Sequence, residues 1–136
     1  MPYIQLLLYL RKQLLFNDRF VMVKTGAELD AKLAAAKAAG RPALVDFYAD
    51  WCVSCKELEK YTFSDSEVAK AIAGADLIRV DVTDDSTLLT RFGLVGPPTI
   101  LFFDRSGNEL KARRVVGYVK ADRFRELAAA ALSEGA

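Results

Sequence analysis

The sequence contains no histidine, only 2 cysteines and 1 tryptophan, and no excess of charge of either sign. Without histidine a Cys–His nucleophilic pair is excluded, and the side chain that most often titrates near neutral pH is missing. With 2 cysteines, a tetrahedral zinc site lacks half of its usual ligands. The balance of 19 Lys and Arg against 18 Asp and Glu leaves no basic footprint, which argues against a nucleic-acid partner. No apolar run reaches the roughly 20 residues that a membrane-spanning helix needs. No internal repeat or low-complexity linker interrupts the chain. What is present is a chain of 136 residues, 52% of them hydrophobic, enough for one ordered domain with a full core.

Both cysteines fall in a single stretch, Tyr48-Ala49-Asp50-Trp51-Cys52-Val53-Ser54-Cys55-Lys56. The apolar run Ala43 to Ala49 before them reads as a buried strand, and Lys56 to Tyr61 after them reads as a helix. A thiol at a helix start lies among free backbone N–H groups, which stabilise its thiolate. The second thiol follows one turn later, within reach of the first. A purely structural disulfide across so short a loop would stabilise little by the chain-entropy account. Such a pair beside a βαβ pattern therefore reads as a redox site. The pair suits a reducing or an oxidising compartment, so composition does not place the protein.

Taken in order, the first 20 residues differ from the rest. Tyr3 to Leu10 is apolar, Arg11-Lys12 interrupts, and Leu14-Leu15-Phe16 follows. The segment lacks the charge-first, small-residue-last order of a secretory signal. It reads as an added leader, as an amphipathic helix on a neighbour or membrane surface, or as a remnant of a larger protein. The leader is preferred, with the domain itself over residues 21–136. Phe20 to Val23 can form an edge strand, and Thr25-Gly26-Ala27-Glu28 is a capping box opening a helix to Ala39. Ser64-Asp65-Ser66-Glu67 is a second such box, opening a helix that resumes after a break near Thr62–Phe63 and runs to Gly74. Asp76 to Val82 and Thr99 to Phe103 read as strands, with a helix from Ser86 to Phe92 between them. Leu110 to Val116 reads as the partner strand of a hairpin with Thr99 to Phe103. A last helix runs from Ala121 to Ser133. The pattern predicts an α/β fold, with a mixed central sheet and helices on both faces.

The run Val45 to Lys56 with its cysteines, together with Gly96-Pro97-Pro98-Thr99-Ile100-Leu101-Phe102-Phe103, resembles a thioredoxin fold. The longer run Tyr48 to Phe63 is similar to the C-terminal, periplasmic thioredoxin-like domain of the thiol:disulfide interchange family DsbD. The resemblance covers about Val21 to Leu132. It implies a protein-disulfide reductase domain, without metal or cofactor, belonging to a bacterial inner-membrane protein and lying in the periplasm. It further implies two partners within the same protein: a transmembrane domain whose cysteines supply electrons, and an N-terminal periplasmic domain that receives them. As an isolated domain it is expected to be a monomer.

Roles follow for individual residues. Cys52, at the helix start, is the expected nucleophile, and Cys55 the resolving thiol. Asp46 lies in an otherwise apolar strand, where a carboxylate must be paired, be neutral or reach water. The matching aspartate of the family supports a buried acid that exchanges protons with the cysteines. Glu59 follows Cys55 by one helical turn, on one α-helical stripe with both thiols; pairing with Lys56 or Lys60 at the surface is its plainer reading, and the family match implies a functional acid instead. Pro98 matches the family's cis-proline. Residue 97 is also proline and has no N–H to offer a docked partner, so docking rests on the Pro97 carbonyl and on apolar contact. Trp51, Tyr48 and Val95 can supply that contact, although plain packing accounts for each equally well.

Neither Val53 nor Ser54 carries a positive charge, so the pair is expected to be a reducing couple, nearer ~−270 mV than ~−120 mV. A general thioredoxin-type reductant is the nearest competing reading, and a non-catalytic Cu(I)-binding thiol module the more distant one. Negative charge from Asp46 and Glu59 is expected to hold the Cys52 thiol above its usual value of ~8.5. Titration of the Cys52 thiolate absorbance tests this, and an apparent value well below neutrality would refute it.

Overall fold

The structure is a computed structural model that describes residues 3–8 and 19–134. Residues 3–8 form a short helix with exposed side chains. Tyr9 to Asp18 of the expected leader lie outside the described residues. Five strands form one sheet in the order β1-β3-β2-β4-β5, with β1 at Val21–Val23, β2 at Ala43–Tyr48, β3 at Asp76–Asp81, β4 at Thr99–Phe103 and β5 at Val115–Val116. β1 and β2 run parallel to β3, β4 runs antiparallel to β2, and β5 antiparallel to β4.

The helices are α1 (Gly26–Ala38), α2 (Val53–Glu57), α3 (Ser66–Ile72), α4 (Thr87–Phe92) and α5 (Ala121–Glu134). The capping box read at Thr25 forms: its hydroxyl accepts the Glu28 N–H, and the Glu28 carboxylate accepts the Thr25 N–H. Gly40 and Gly93, both at φ 67°, close α1 and α4, where a left-handed residue frees the chain to turn. Strand alternation divides the core in two. Val45 and Phe47 of β2 pack with Leu29 and Ala36 of α1 and with Leu88 and Leu89 of α4. Leu44 faces the other way, with Val68 and Ile72 of α3 and Phe124 and Ala128 of α5. The mixed sheet with helices on both faces is therefore as the sequence predicts.

Two local expectations are corrected. At the start of α3 the cap is Asp65, whose carboxylate accepts the N–H groups of Glu67 and Val68. Ser64 does not form the expected box with Glu67, because its hydroxyl turns back to the Lys60 carbonyl. The last hairpin strand is also shorter than Leu110–Val116. Phe103 and Glu109 form one bridge, Lys111–Arg113 make a 3₁₀ turn, and pairing resumes only at Val115–Val116. Arg114 holds this excursion closed, with bonds of 2.7 and 2.8 Å to Glu109 and one of 3.0 Å to the Phe92 carbonyl.

Phe20 is buried, and its ring lies 5.3 Å from that of Phe63, which in turn meets Phe124 edge-on at 5.4 Å. Arg19 donates to the Phe63 carbonyl at 2.8 Å. A cut after Phe20 would thus remove a core aromatic, not only a leader. Phe20→Ala is expected to lower the unfolding free energy by about 3 kcal/mol, measured by urea denaturation. A loss within the scatter of surface substitutions would show that Phe20 is not part of the core.

Candidate active site

β2 is buried along its whole length and delivers the chain to a tight turn at Ala49, whose carbonyl accepts the Cys52 N–H at 3.1 Å. Cys52 is the N-cap of α2, and its Sγ accepts the Cys55 N–H at 3.1 Å. The two sulfurs are joined in a disulfide, with Cα atoms 5.3 Å apart. Cys52 retains 6% exposure and Cys55 3%, so the first is the more accessible sulfur, by a small margin.

The Pro97–Pro98 bond is cis. Phe47 of β2 stands opposite Thr99 of β4 in the antiparallel register. The cis bond, just before β4, therefore lies at the same end of the sheet as the cysteines, just after β2. The Pro98 carbonyl is taken by the Gly117 N–H at 2.9 Å, and the Gly96 carbonyl by the Thr99 hydroxyl at 2.8 Å. Trp51 and Val95 are exposed, and so is Val53, which the sequence singled out only for its lack of charge. Tyr48 is not on this surface: it is buried, and the Arg79 guanidinium lies 4.4 Å from its ring centre. Its hydroxyl donates to Asp50 at 3.0 Å and accepts from Lys56 at 3.1 Å.

Asp46 alternates with the inward residues Val45 and Phe47 and is itself almost fully buried. Its partner is Arg79, directly across the parallel register on β3. Arg79 Nε lies 3.3 Å from the Asp46 carboxylate, and Nη1 lies 3.6 Å from the Glu59 carboxylate. One buried cation thus gathers two acids. Burial pushes the Asp46 carboxyl up to about 6; Arg79 opposes the rise and Glu59 adds to it.

Glu59 meets Arg79 from the turn that follows the cysteine helix. α2 ends at Glu57, and Leu58–Thr62 form a π-helical turn. The Phe63 N–H spans back to the Leu58 carbonyl at 2.8 Å, and the Thr62 hydroxyl is anchored to the Val119 carbonyl at 2.6 Å. The wider turn begins only one residue before Glu59, so Glu59 lies where the helix changes pitch. Neither Lys56 nor Lys60 is its ion-pair partner among the described residues.

Arg79 is the site residue that sequence analysis does not single out. The signal for it was a lone cation in the apolar strand Leu77-Ile78-Arg79-Val80, matching the lone anion in β2. Recognising the match requires the strand register, which the chain order does not state.

Comparison with known proteins places this geometry. The thioredoxin-like domain family matches residues 29–132. The thiol:disulfide interchange protein DsbD of Ralstonia nicotianae is 50% identical over 109 residues, 77% of this chain and 18% of that protein. This chain thus spans about a fifth of the length of the curated relatives that it matches. Among solved structures, the Neisseria meningitidis DsbD C-terminal domain in its oxidised form is 35% identical, with a TM-score of 0.70. The match covers 82% of this chain and 99% of that one. The reduced form of the same domain gives 34% identity and a TM-score of 0.69.

The Asp46 carboxyl rises on folding from an ordinary 3.8 to about 6, so between those values the native state binds a proton that the unfolded chain releases. The stability it contributes is complete below about pH 4 and is lost as pH rises through about 6. The unfolding free energy of the wild type, compared with Asp46→Asn, is therefore expected to fall by about 2 kcal/mol between pH 4 and pH 7. Urea denaturation across that range measures it, and parallel pH profiles for the two proteins would contradict the buried-acid reading.

Proposed function

The chain belongs to the thioredoxin-like family and, within it, to the C-terminal domains of the thiol:disulfide interchange protein DsbD, and from this premise we propose that it relays electrons between two partner domains. It is a thiol-disulfide oxidoreductase domain carrying the Cys52–Cys55 pair. The proposed source of electrons is a pair of cysteines in a transmembrane domain of the same protein, and the proposed acceptor its N-terminal periplasmic domain. Residues 21–136, with Arg19 and Phe20 completing the core, act as the relay in the periplasm, and as an isolated domain this unit is a monomer. No helix among the described residues is long and apolar enough to cross a membrane, so anchoring in the inner membrane would come from elsewhere in the protein.

The observation that carries this reading is Cys52 at the start of α2, its sulfur facing the Cys55 N–H. A thiolate there is stabilised by backbone dipoles, and it is the more exposed of the two sulfurs. In the reduced dithiol, the Cys52 thiolate attacks one sulfur of the acceptor's disulfide, expelling the other as a thiolate and forming a mixed disulfide. Cys55 then loses its proton and attacks Cys52, which releases the acceptor as a dithiol and closes the Cys52–Cys55 disulfide. Two electrons have passed to the acceptor. The reverse sequence, starting from the upstream dithiol, recharges the domain.

In this scheme Asp46 takes the Cys55 proton, and Glu59 shares Arg79 with it. Arg79 shields part of the negative charge that the two acids would otherwise set near the sulfurs. Docking uses the exposed faces of Trp51, Val53 and Val95 and the Pro97 carbonyl beside the cis bond to Pro98. Tyr48 supports this surface from below.

Two variants separate the roles of the sulfurs. Incubated in reduced form with an oxidised protein substrate, Cys55→Ala is expected to accumulate a mixed disulfide visible on a non-reducing gel. Cys52→Ala is expected to accumulate none. The opposite result would exchange nucleophile and resolving thiol.

A further inference from the structure

The two residues before Cys52 are both held by one residue that follows another strand. Asp50 donates its backbone N–H to the Thr83 hydroxyl at 2.9 Å. Trp51 donates its indole Nε1–H to the Thr83 carbonyl at 3.2 Å. Thr83 lies just past β3, more than 30 positions along the chain.

Thr83 is itself fixed. The Asp81 carboxylate accepts both its N–H, at 2.9 Å, and its hydroxyl hydrogen, at 2.5 Å. A carboxylate accepts and does not donate, so the hydroxyl proton is committed to Asp81 and its lone pairs face the Asp50 N–H. The preceding Val82 N–H continues the sheet to the Tyr48 carbonyl at 2.8 Å. The chain from Tyr48 to Trp51 is thereby laid against Val82–Thr83 by three successive bonds. The indole is pinned at one edge, yet Trp51 remains 63% exposed.

We propose that Thr83 is a positioning residue for disulfide exchange, clamping Asp50 and Trp51 so that the indole face beside Cys52 is preset for the incoming protein. This rests on Trp51 forming part of the docking surface. A side chain already held in its bound orientation loses less freedom on binding. Thr83 touches neither sulfur, so its effect falls on docking more than on the bond exchange itself. Valine preserves the shape of threonine and keeps the backbone carbonyl that accepts the indole N–H, but it cannot accept the Asp50 N–H or donate to Asp81, so it frees the indole only by loosening the backbone that carries that carbonyl. Serine can do both.

Trp51 is the only tryptophan in the chain, so intrinsic fluorescence reports on it alone. Reduced wild type, Thr83→Val, Thr83→Ser and Trp51→Ala are compared, with insulin as the protein disulfide and excess dithiothreitol as the dithiol that re-reduces the domain between turnovers. Thr83→Val is expected to lower the Trp51 anisotropy and raise KM for insulin by about 2- to 10-fold, with a smaller change in kcat. Thr83→Ser is expected to restore both. Unchanged anisotropy in Thr83→Val overturns the clamp. Lowered anisotropy with an unchanged KM, while Trp51→Ala raises KM, overturns its role in exchange. An unchanged KM in Trp51→Ala instead overturns the docking reading of Trp51, and the proposal with it.

Discussion

A carboxylate buried in the central strand cannot stand alone, and the active end of this domain is built around that constraint. β2 has neighbours on both edges and helices on both faces, so Asp46 has no route to water. Taking an isolated charge from water into such a place costs far more than the stability of a small domain. The register supplies the remedy: Asp46 stands opposite Arg79 on β3. A buried pair of this kind does little for stability on its own. Its consequence is chemical, because it leaves a carboxyl that changes protonation close to neutral pH, in a protein with no histidine to do so.

The same cation organises what surrounds it. Arg79 reaches Glu59 in the π-helical turn and covers the ring of Tyr48, whose hydroxyl joins Lys56 and Asp50. Charges and polar groups from β2, β3 and the helix after the cysteines therefore form one connected set. The π turn is part of this arrangement: Thr62 is drawn to the Val119 carbonyl, the helix widens, and Glu59 is offered to Arg79. Such turns recur at functional sites because they re-aim side chains without ending a helix.

Above this buried set lies a surface of a different character. Trp51 and Val53 flank Cys52 in the chain, Val95 comes shortly before the cis Pro97–Pro98 bond, and all three are exposed. In the proposed relay these exposed apolar side chains are the contact surface for a partner protein chain, recognised by contact area and not by enclosure. The cleft of about 330 Å³ lined by Arg19, Lys32, Arg41 and Asp76 touches neither cysteine; it lies toward the opposite ends of β2 and β3.

The sequence by itself determined the strands and helices, the redox pair, the proline pair and the solitary acid in β2. These are local matters: hydrophobic period, capping residues, glycine stops and the spacing of two cysteines are all written in consecutive residues. The resemblance carried by Tyr48 to Phe63 extended that reading to Glu59. Only the tertiary structure decided that Asp46 is answered by Arg79, that Glu59 sits in a widened turn, that Tyr48 is buried over Arg79, and that Thr83 holds Trp51. Each of these pairs residues from elements that meet only when the sheet forms. Register and helix widening arise from the balance of contacts across the whole domain, and no stretch of consecutive residues encodes that balance.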